Sequence, residues 1–384
     1  MTKSKKFLII STFIFLFFSC SKEKSTGGDL YSGKEHIKSN SYKIEVAAEN
    51  LWVPWSIVFT GPNRILVTER NGNLRSIENG RLLENPLYTF GDVASNGEGG
   101  LMGMTIDPDY LNNRYLYLSY AYRDNGDMHV KIVRFKDDGN TLTGEKTLID
   151  NINGASFHDG CRLKFGPDKK LYITTGDAGN KDDAQDINKL NGKILRLNSD
   201  GSIPEDNPFP DNPVWCYGNR NPQGIAWYPG TDIMYETEHG PSGFDGPGGG
   251  DEVNIIKKGN NYGWPEVHHK MHKDGMEDPV LEFTPAVAPA GAMFYKGAMF
   301  PEFNNNFFFC CLRGEGIIRV VIDKDNPDKI ISYEKMKEID YGRIRDIEEA
   351  PDGSIYFCTS NRDGRGSVRE GDDKIFRMVK KIDE

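Results

Sequence analysis

Six times along this chain an apolar strand rises out of a turn rich in Pro, Gly, Asp and Asn, and a second strand often follows through a polar hairpin. The units are GPNRILVTERNGNLRSI (61–77); NNRYLYLSYAY with HVKIVRF (112–122 and 129–135); GPDKKLYITTGD with GKILRLN (166–177 and 192–198); YPGTDIMYETEHG with DEVNII (228–240 and 251–256); FNNNFFFCCLRGEGIIRVVID (303–323); and APDGSIYFCTSNRDG with KIFRMV (350–364 and 374–379). The segments are short, β-branched or aromatic, and bounded by turn residues, which reads as strand rather than helix. No amphipathic pattern sustains three helical turns. One such sheet cannot bury both faces alone, whereas copies stacked radially around a channel cover each other and leave only short edges. The repeat therefore predicts an all-β chain, a six-bladed β-propeller of four-stranded antiparallel blades. Closing the ring would pair residues 42–46 with the last blade; a sandwich or an eight-bladed ring fits the count less well.

The first residues follow a different logic. Lys3, Lys5 and Lys6 precede a largely apolar run from Phe7 to Phe18, which ends at Ser19-Cys20. That run is too short to span a bilayer and suits a signal peptide. A small residue before Cys, then SKEKSTGG, resembles a bacterial lipoprotein signal. The expected organisation is a signal peptide at 1–19, a tether at 20–41 lipidated at Cys20, and the propeller at 42–384. The protein is then exported, periplasmic or attached to the outer membrane; ordinary secretion with cleavage nearby is the alternative. Five cysteines remain (Cys161, Cys216, Cys310, Cys311 and Cys358), an odd number without CxxC spacing. This argues against a zinc site and for buried, unpaired thiols, with a vicinal Cys310–Cys311 disulfide as the rival reading. A formal net charge of −10 with no basic block argues against a nucleic-acid partner.

Residues able to carry chemistry sit in the longer loops. FHDGCRLKFGPDKKLYITTGDAG (157–179) places His158 on a glycine-containing turn and Asp177 at the end of the following strand. An imidazole there suits a general base, although a capped loop histidine is the plainer reading. In YGNRNPQGIAW (217–227), Arg220 and Asn221 side by side suit a planar, multiply anionic ligand. ETEHGPSGFDGPGGGDEVN (236–254) offers backbone carbonyls at Gly240 and Pro241 and carboxylates at Asp251 and Glu252, oxygen donors for a hard cation such as Ca²⁺. It is not an EF-hand loop. Arg313 follows in LRG, and Arg343 and Arg345 stand two apart, on one side of an extended segment. Any one of these arginines could equally serve a surface ion pair. The longest inserts are expected after the first strand of blade three (177–193), inside blade four (240–251) and between blades four and five (264–289).

Together these stretches resemble the soluble quinoprotein glucose dehydrogenase and aldose sugar dehydrogenase family, six-bladed propellers that use pyrroloquinoline quinone (PQQ) and Ca²⁺. The matching segments run in order from about residue 52 to the end: VPWSIVF with ILVTERNGNLR, GEGGLMGMTIDPDY, HDGCRLKFGPDKKLYITTGDAGN, AQDINKLNGKILRLNSDGSIPEDNPF, GNRNPQGIAW, TEHGPSG with GGGDEVNIIKKGNNYGWP, VAPAGAMFY and GRIRDIEEAPDGSIY. The resemblance implies that His158 takes the proton from the anomeric hydroxyl of an aldose. Arg220 and Asn221 then contact the quinone, with Arg220 and Ca²⁺ polarising its carbonyl. Gly240 and Pro241 hold the catalytic Ca²⁺, and Arg313, Arg343 and Arg345 face the cofactor's three carboxylates. Glu98 and Asp177 line the sugar site. Asp251, Glu252 and Tyr262 belong to a second, structural Ca²⁺ site. The product is a lactone, and electrons pass to an external acceptor, a quinone or redox protein. Two departures stand out: Glu98 where the family often has glutamine, and Cys161 where it usually has glycine. A Ca²⁺-dependent, lactonase-like propeller hydrolase and a non-catalytic carbohydrate-binding propeller are the rival readings.

Overall fold

A computed structural model of the chain describes residues 41–381. The expected signal peptide, Cys20 and nearly all of the expected tether lie outside the described residues. Within them the chain forms six antiparallel sheets. From the axis outward, blade one is Pro54–Gly61, Arg64–Glu69 and Asn73–Glu78, its rim split between the short strands Arg81–Leu82 and Tyr88–Thr89. Blade two is Leu101–Ile106, Tyr115–Asp124, Asp127–Asp137 and Leu142–Asn153; blade three is Leu163–Phe165, Leu171–Thr175, Lys193–Leu197 and Val214–Tyr217. Blade four is Pro222–Trp227, Met234–Glu238, Asp251–Ile256 and Leu281–Phe283; blade five is Pro289–Phe294, Phe307–Cys311, Gly316–Ile322 and Ile330–Lys335. Blade six is Ile344–Glu349, Ile355–Thr359 and Ile375–Lys380. Its outer strand is Tyr42–Ala48, paired Tyr42 to Lys380 and Ile44 to Met378. The ring therefore closes as the repeat predicts, with the start of the domain zipped onto its end. The one α-helix among the described residues, Tyr110–Asn113, is a single turn.

The repeating units in the sequence are the second and third strands of each blade, not the first and second. Leu171–Thr175 is thus the second strand of blade three, and the insert at 264–289 contains the fourth strand of blade four. The innermost strands escape the pattern because the axis is crowded. A Cβ on Gly103 would lie 2.0 Å from the Cys161 carbonyl oxygen, one on Gly224 2.4 Å from that of Ala290, and one on Gly291 2.1 Å from Asp346 Oδ1. Only glycine fits where neighbouring inner strands approach so closely, and glycine erases the alternation that marks a strand. The apolar side chains collect between blades: Phe308, Cys310 and Ile317 of blade five pack with Ile347, Phe357 and Met378 of blade six. Each side chain of this size contributes about 1.5–3 kcal/mol when buried. The five cysteines among the described residues are all buried and unpaired.

The axis itself is plugged by polar groups. Arg162 pairs with Asp346 at 2.9 Å and donates from Nε to the Gln223 carbonyl at 2.9 Å. Asp346 also accepts the Ile57 backbone N–H at 2.8 Å, and Trp55 lies under the Arg162 guanidinium. Four blades meet in this buried network, which closes the channel and separates a basin at one mouth from a second cavity lined by Ile57, Arg162, Asp346 and Glu348.

Candidate active site

The basin has a volume of about 480 Å³ and is lined by Glu98, His158, Gly240, Pro241, Asp251, Arg313, Arg343 and Arg345, together with Trp55, His239, Phe244 and Arg365. Six blades are needed to bring these residues together, since they span positions 55 to 365. Arg220, Asn221 and Asp177 stand directly behind the lining, whereas Glu252 and Tyr262 lie outside it.

His158 occupies the turn before the inner strand of blade three. Its φ of 60° is left-handed, and Gly160 and Cys161 continue in that region at 68° and 76°. A non-glycine residue held there is strained and persists because its surroundings dictate it. Gly176 supplies that constraint: a Cβ on it would sit 1.9 Å from the His158 carbonyl oxygen. The imidazole Nδ1 lies 2.8 Å from Asp177 Oδ1. The same carboxylate accepts the Gly179 N–H on Oδ1 and the Trp264 indole N–H on Oδ2, both at 2.9 Å. Asp177 accepts from its other partners, so Nδ1 is the donor, and in the neutral ring Nε2 carries the free lone pair. Asp177, placed by the sequence against the sugar, is observed behind the base, where it orients it. A neutral imidazole with a fixed tautomer at the wall of a cavity can remove a proton from a hydroxyl.

Opposite lies a set of cationic donors. Arg345 is buried, stacks over Trp55 and bonds Gln223 Oε1 at 3.1 Å, while its Nε has no partner. Burial, with Arg343 and Arg70 adding repulsion, pushes its guanidinium down to about 10. It is still charged at neutral pH and short of negative charge. Arg343 is held by Asp363 at 2.7 Å, and Arg313 reaches the rim from an exposed loop. Arg220 is fully buried and gripped by Asp245, which accepts from Nε at 2.8 Å and from the terminal nitrogen at 2.6 Å. Ser242 Oγ and the His239 carbonyl take two further Arg220 donors, and Trp264 lies beneath. Asn221 accepts the Gly160 N–H at 3.2 Å and faces His239 Nδ1 with its amide nitrogen. His239 donates from Nε2 to the Pro289 carbonyl at 2.7 Å, and burial pushes its pKa down to about 3, so it is neutral.

On the third side, burial would raise the Glu98 carboxyl, but Arg365 outweighs it and holds the pKa at about 2. Glu98 accepts the His158 backbone N–H at 3.1 Å and pairs with Arg365, tying blade six to the turn that carries the base.

The acids proposed for cations divide into two situations. Asp251 is tied to the backbone: Oδ1 takes the Gly240 N–H at 2.8 Å and Oδ2 those of Val287 and Ala288 at 2.7 and 2.6 Å, leaving one lone pair on Oδ1. The Tyr262 hydroxyl donates to the Ile255 carbonyl at 2.8 Å and accepts the Lys257 N–H. Glu252 is different. It shares Asn254 with Glu236, and Glu238 stands nearby; Glu236 Oε1, Glu238 Oε2 and Asn254 Oδ1 are buried without partners. Burial pushes Glu252 up to about 8. Unpaired oxygens of this kind suit a hard cation, although no group of three His, Cys, Asp or Glu side chains converges in metal-ligand geometry among the described residues.

Trp55, Gln223, His239, Phe244, Asp245 and Arg365 were not singled out in the sequence. The glycine-rich insert was a signal for Phe244 and Asp245. Nothing local tied Arg365 to Glu98, 267 positions away.

Residues 51–369 match the model of the Glucose / Sorbosone dehydrogenase family. The chain is 33% identical to aldose sugar dehydrogenase YliI of Escherichia coli, over 84% of this chain and 91% of that protein. It is 30% identical to quinoprotein glucose dehydrogenase B of Acinetobacter calcoaceticus, over 88% and 89%. The PQQ-bound aldose sugar dehydrogenase from Streptomyces coelicolor superimposes with a TM-score of 0.76 at 32% identity, covering 89% of this chain and 99% of that one. With its propeller, its histidine-bearing basin and a family match spanning most of its length, this chain belongs to the glucose/sorbosone dehydrogenase family, whose characterised relatives are sugar-oxidising oxidoreductases.

Proposed function

We propose that this protein oxidises the C1 hydroxyl of aldoses to lactones with PQQ and Ca²⁺, passing electrons to an external acceptor, from an exported position anchored through Cys20. The observation that carries the reading is the pairing, in one basin, of an oriented base with a buried arginine whose Nε is unpartnered. Arg345, Arg343 and Arg313 are a donor set suited to a planar tricarboxylate. The Gly240 and Pro241 carbonyls would be the oxygen donors for Ca²⁺, and the unpaired oxygens around Glu252 suit a second, structural ion. When bound, PQQ supplies a two-electron acceptor for the hydride leaving C1, and Ca²⁺ supplies Lewis acidity.

The protein's own share is orientation and proton transfer. His158 Nε2 takes the hydroxyl proton as C1 loses hydride, and Asp177 stabilises the imidazolium that forms. Such a base contributes roughly 10²–10⁴-fold in rate. Arg220, immobilised by Asp245 and Trp264, and Asn221 hold fixed donors at the cavity floor, ready without reorganisation. A lactonase would need a cluster of acidic metal ligands in the basin, and there Glu98 is paired with Arg365 and Asp251 is held by three backbone donors. The test is reconstitution: purified protein with PQQ and Ca²⁺ should reduce an artificial acceptor when given aldoses. Absence of PQQ binding in an absorbance titration would sink the proposal.

A further inference from the structure

Of the eight large apolar side chains left exposed among the described residues, Phe244 alone lines the basin, and it is 70% exposed. It stands at the tip of the loop between the second and third strands of blade four. With glycine at 243, 246 and 248–250, that loop has little intrinsic reason to hold one shape. Asp245 holds it: Oδ1 accepts the Ser242 N–H at 2.9 Å, and Oδ2 takes two donors of buried Arg220. The tip is thereby locked to the floor of the site. Phe244 ends near-parallel to the His158 imidazole, at 21° with centroids 6.4 Å apart, and Phe157 meets it edge-on at 5.8 Å.

An immobilised aromatic face turned toward water beside a base suits a ligand with one apolar side. A pyranose has one: a face of C–H bonds polarised by neighbouring oxygens, complementary to the negative face of an aromatic ring. We infer that Phe244, buttressed by Phe157, is the platform on which the sugar ring lies, and that it determines specificity for pyranoses. Asp245 is a positioning residue that acts through Arg220. The inference rests on the sugar reading of the site.

Saturation-transfer NMR tests it with D-glucose, D-galactose and D-xylose. The full protein is used both free and carrying pre-reduced PQQ with Ca²⁺, so that no turnover occurs. The expected result is saturation concentrated on the C–H protons of one ring face. Phe244→Ala should weaken sugar binding roughly tenfold, equivalent to about 1.4 kcal/mol, and Phe244→Trp should retain it. Asp245→Ala should weaken binding similarly, and Asp245→Asn should restore only part of it, because its amide NH₂ must meet either the Ser242 N–H or the Arg220 donors as donor against donor. Sugar affinity unchanged in Phe244→Ala overturns the platform, as does a loss that appears only as weaker PQQ binding in an absorbance titration. A protein that binds these sugars through Phe244 but oxidises none keeps the platform and loses the dehydrogenase reading. One that oxidises them with KM unchanged in Phe244→Ala does the reverse.

Discussion

The Asp177 carboxylate receives three buried donors, His158 Nδ1 at 2.8 Å and the Gly179 and Trp264 N–H groups at 2.9 Å. Replacing it with asparagine keeps the shape and removes one acceptor. If the amide oxygen stays toward His158 and Gly179, its NH₂ meets the Trp264 N–H, donor against donor. If the amide flips, NH₂ meets Nδ1 and forces the proton onto Nε2, where the imidazole can no longer act as a base. Either arrangement strands a buried polar group at a cost of about 1–3 kcal/mol. The lost hydrogen bond to the imidazolium is worth about 1.5–3 kcal/mol, which alone slows the chemical step roughly 10- to 150-fold. With the tautomer also wrong, Asp177→Asn should lower kcat on the order of 10²–10³-fold, within the range of a general base. The assay is kcat at saturating aldose and acceptor in protein loaded with PQQ and Ca²⁺. PQQ affinity and the melting temperature are followed alongside, and both should change little in comparison. A variant that folds, binds PQQ and turns over within about threefold of the parent would show that Asp177 does not set the state of His158.

Three other expectations follow from named contacts. Arg345→Ala, alone or with Arg343→Ala, should weaken PQQ binding roughly 10- to 100-fold by removing charge-assisted hydrogen bonds, while His158→Ala spares it; equal affinities in an absorbance titration would remove the assigned roles. Lys193 is buried, pushed down to about 8 by burial, and donates to the carbonyls of Asp183, Ala184 and Asn191 at 2.7–2.9 Å, so it braces the loop after Asp177. Lys193→Met should cost on the order of 2–5 kcal/mol in urea unfolding by stranding them, and an unchanged midpoint would contradict that brace. The Asp159 carboxyl, with Oδ2 buried and unpartnered, is pushed up to about 7 by burial. The native state then holds a proton that the unfolded chain releases near pH 4, so this group's stabilising contribution is full below that and is lost as pH rises toward 7. Asp159→Asn, which mimics the protonated acid, should raise the melting temperature by a few degrees at pH 8 and not at pH 4; a gain of equal size at both would refute the titration.

Much of the architecture is local and was legible. Second and third strands such as Leu171–Thr175 and Lys193–Leu197 are short, largely apolar and bracketed by turn residues, so six blades could be counted. The inner strands could not: Pro222–Trp227 and Pro289–Phe294 begin with Pro and carry Gly224 and Gly291 where neighbouring strands leave no room for a Cβ. The chemical residue types were equally visible. His158 and Arg343 stand just ahead of the inner strands of blades three and six, Arg345 lies within the latter, and Asp251 and Glu252 open the third strand of blade four after the glycine-rich insert.

Partnership was another matter. Nothing in the sequence ties Asp177 to the imidazole of His158 or Asp251 to the backbone N–H groups of Gly240, Val287 and Ala288. Arg220 looked free to meet a ligand, and the fold gives it Asp245. By itself the sequence determined the blade, the number of blades and the inventory of reactive groups, because strand period, turn chemistry and residue type are properties of neighbours along the chain. Only the tertiary structure decided which group orients, neutralises or exposes which. A closed ring brings Ile57 to Asp346 and Glu98 to Arg365 across 289 and 267 positions, and no spacing within one repeat encodes a contact made between blades.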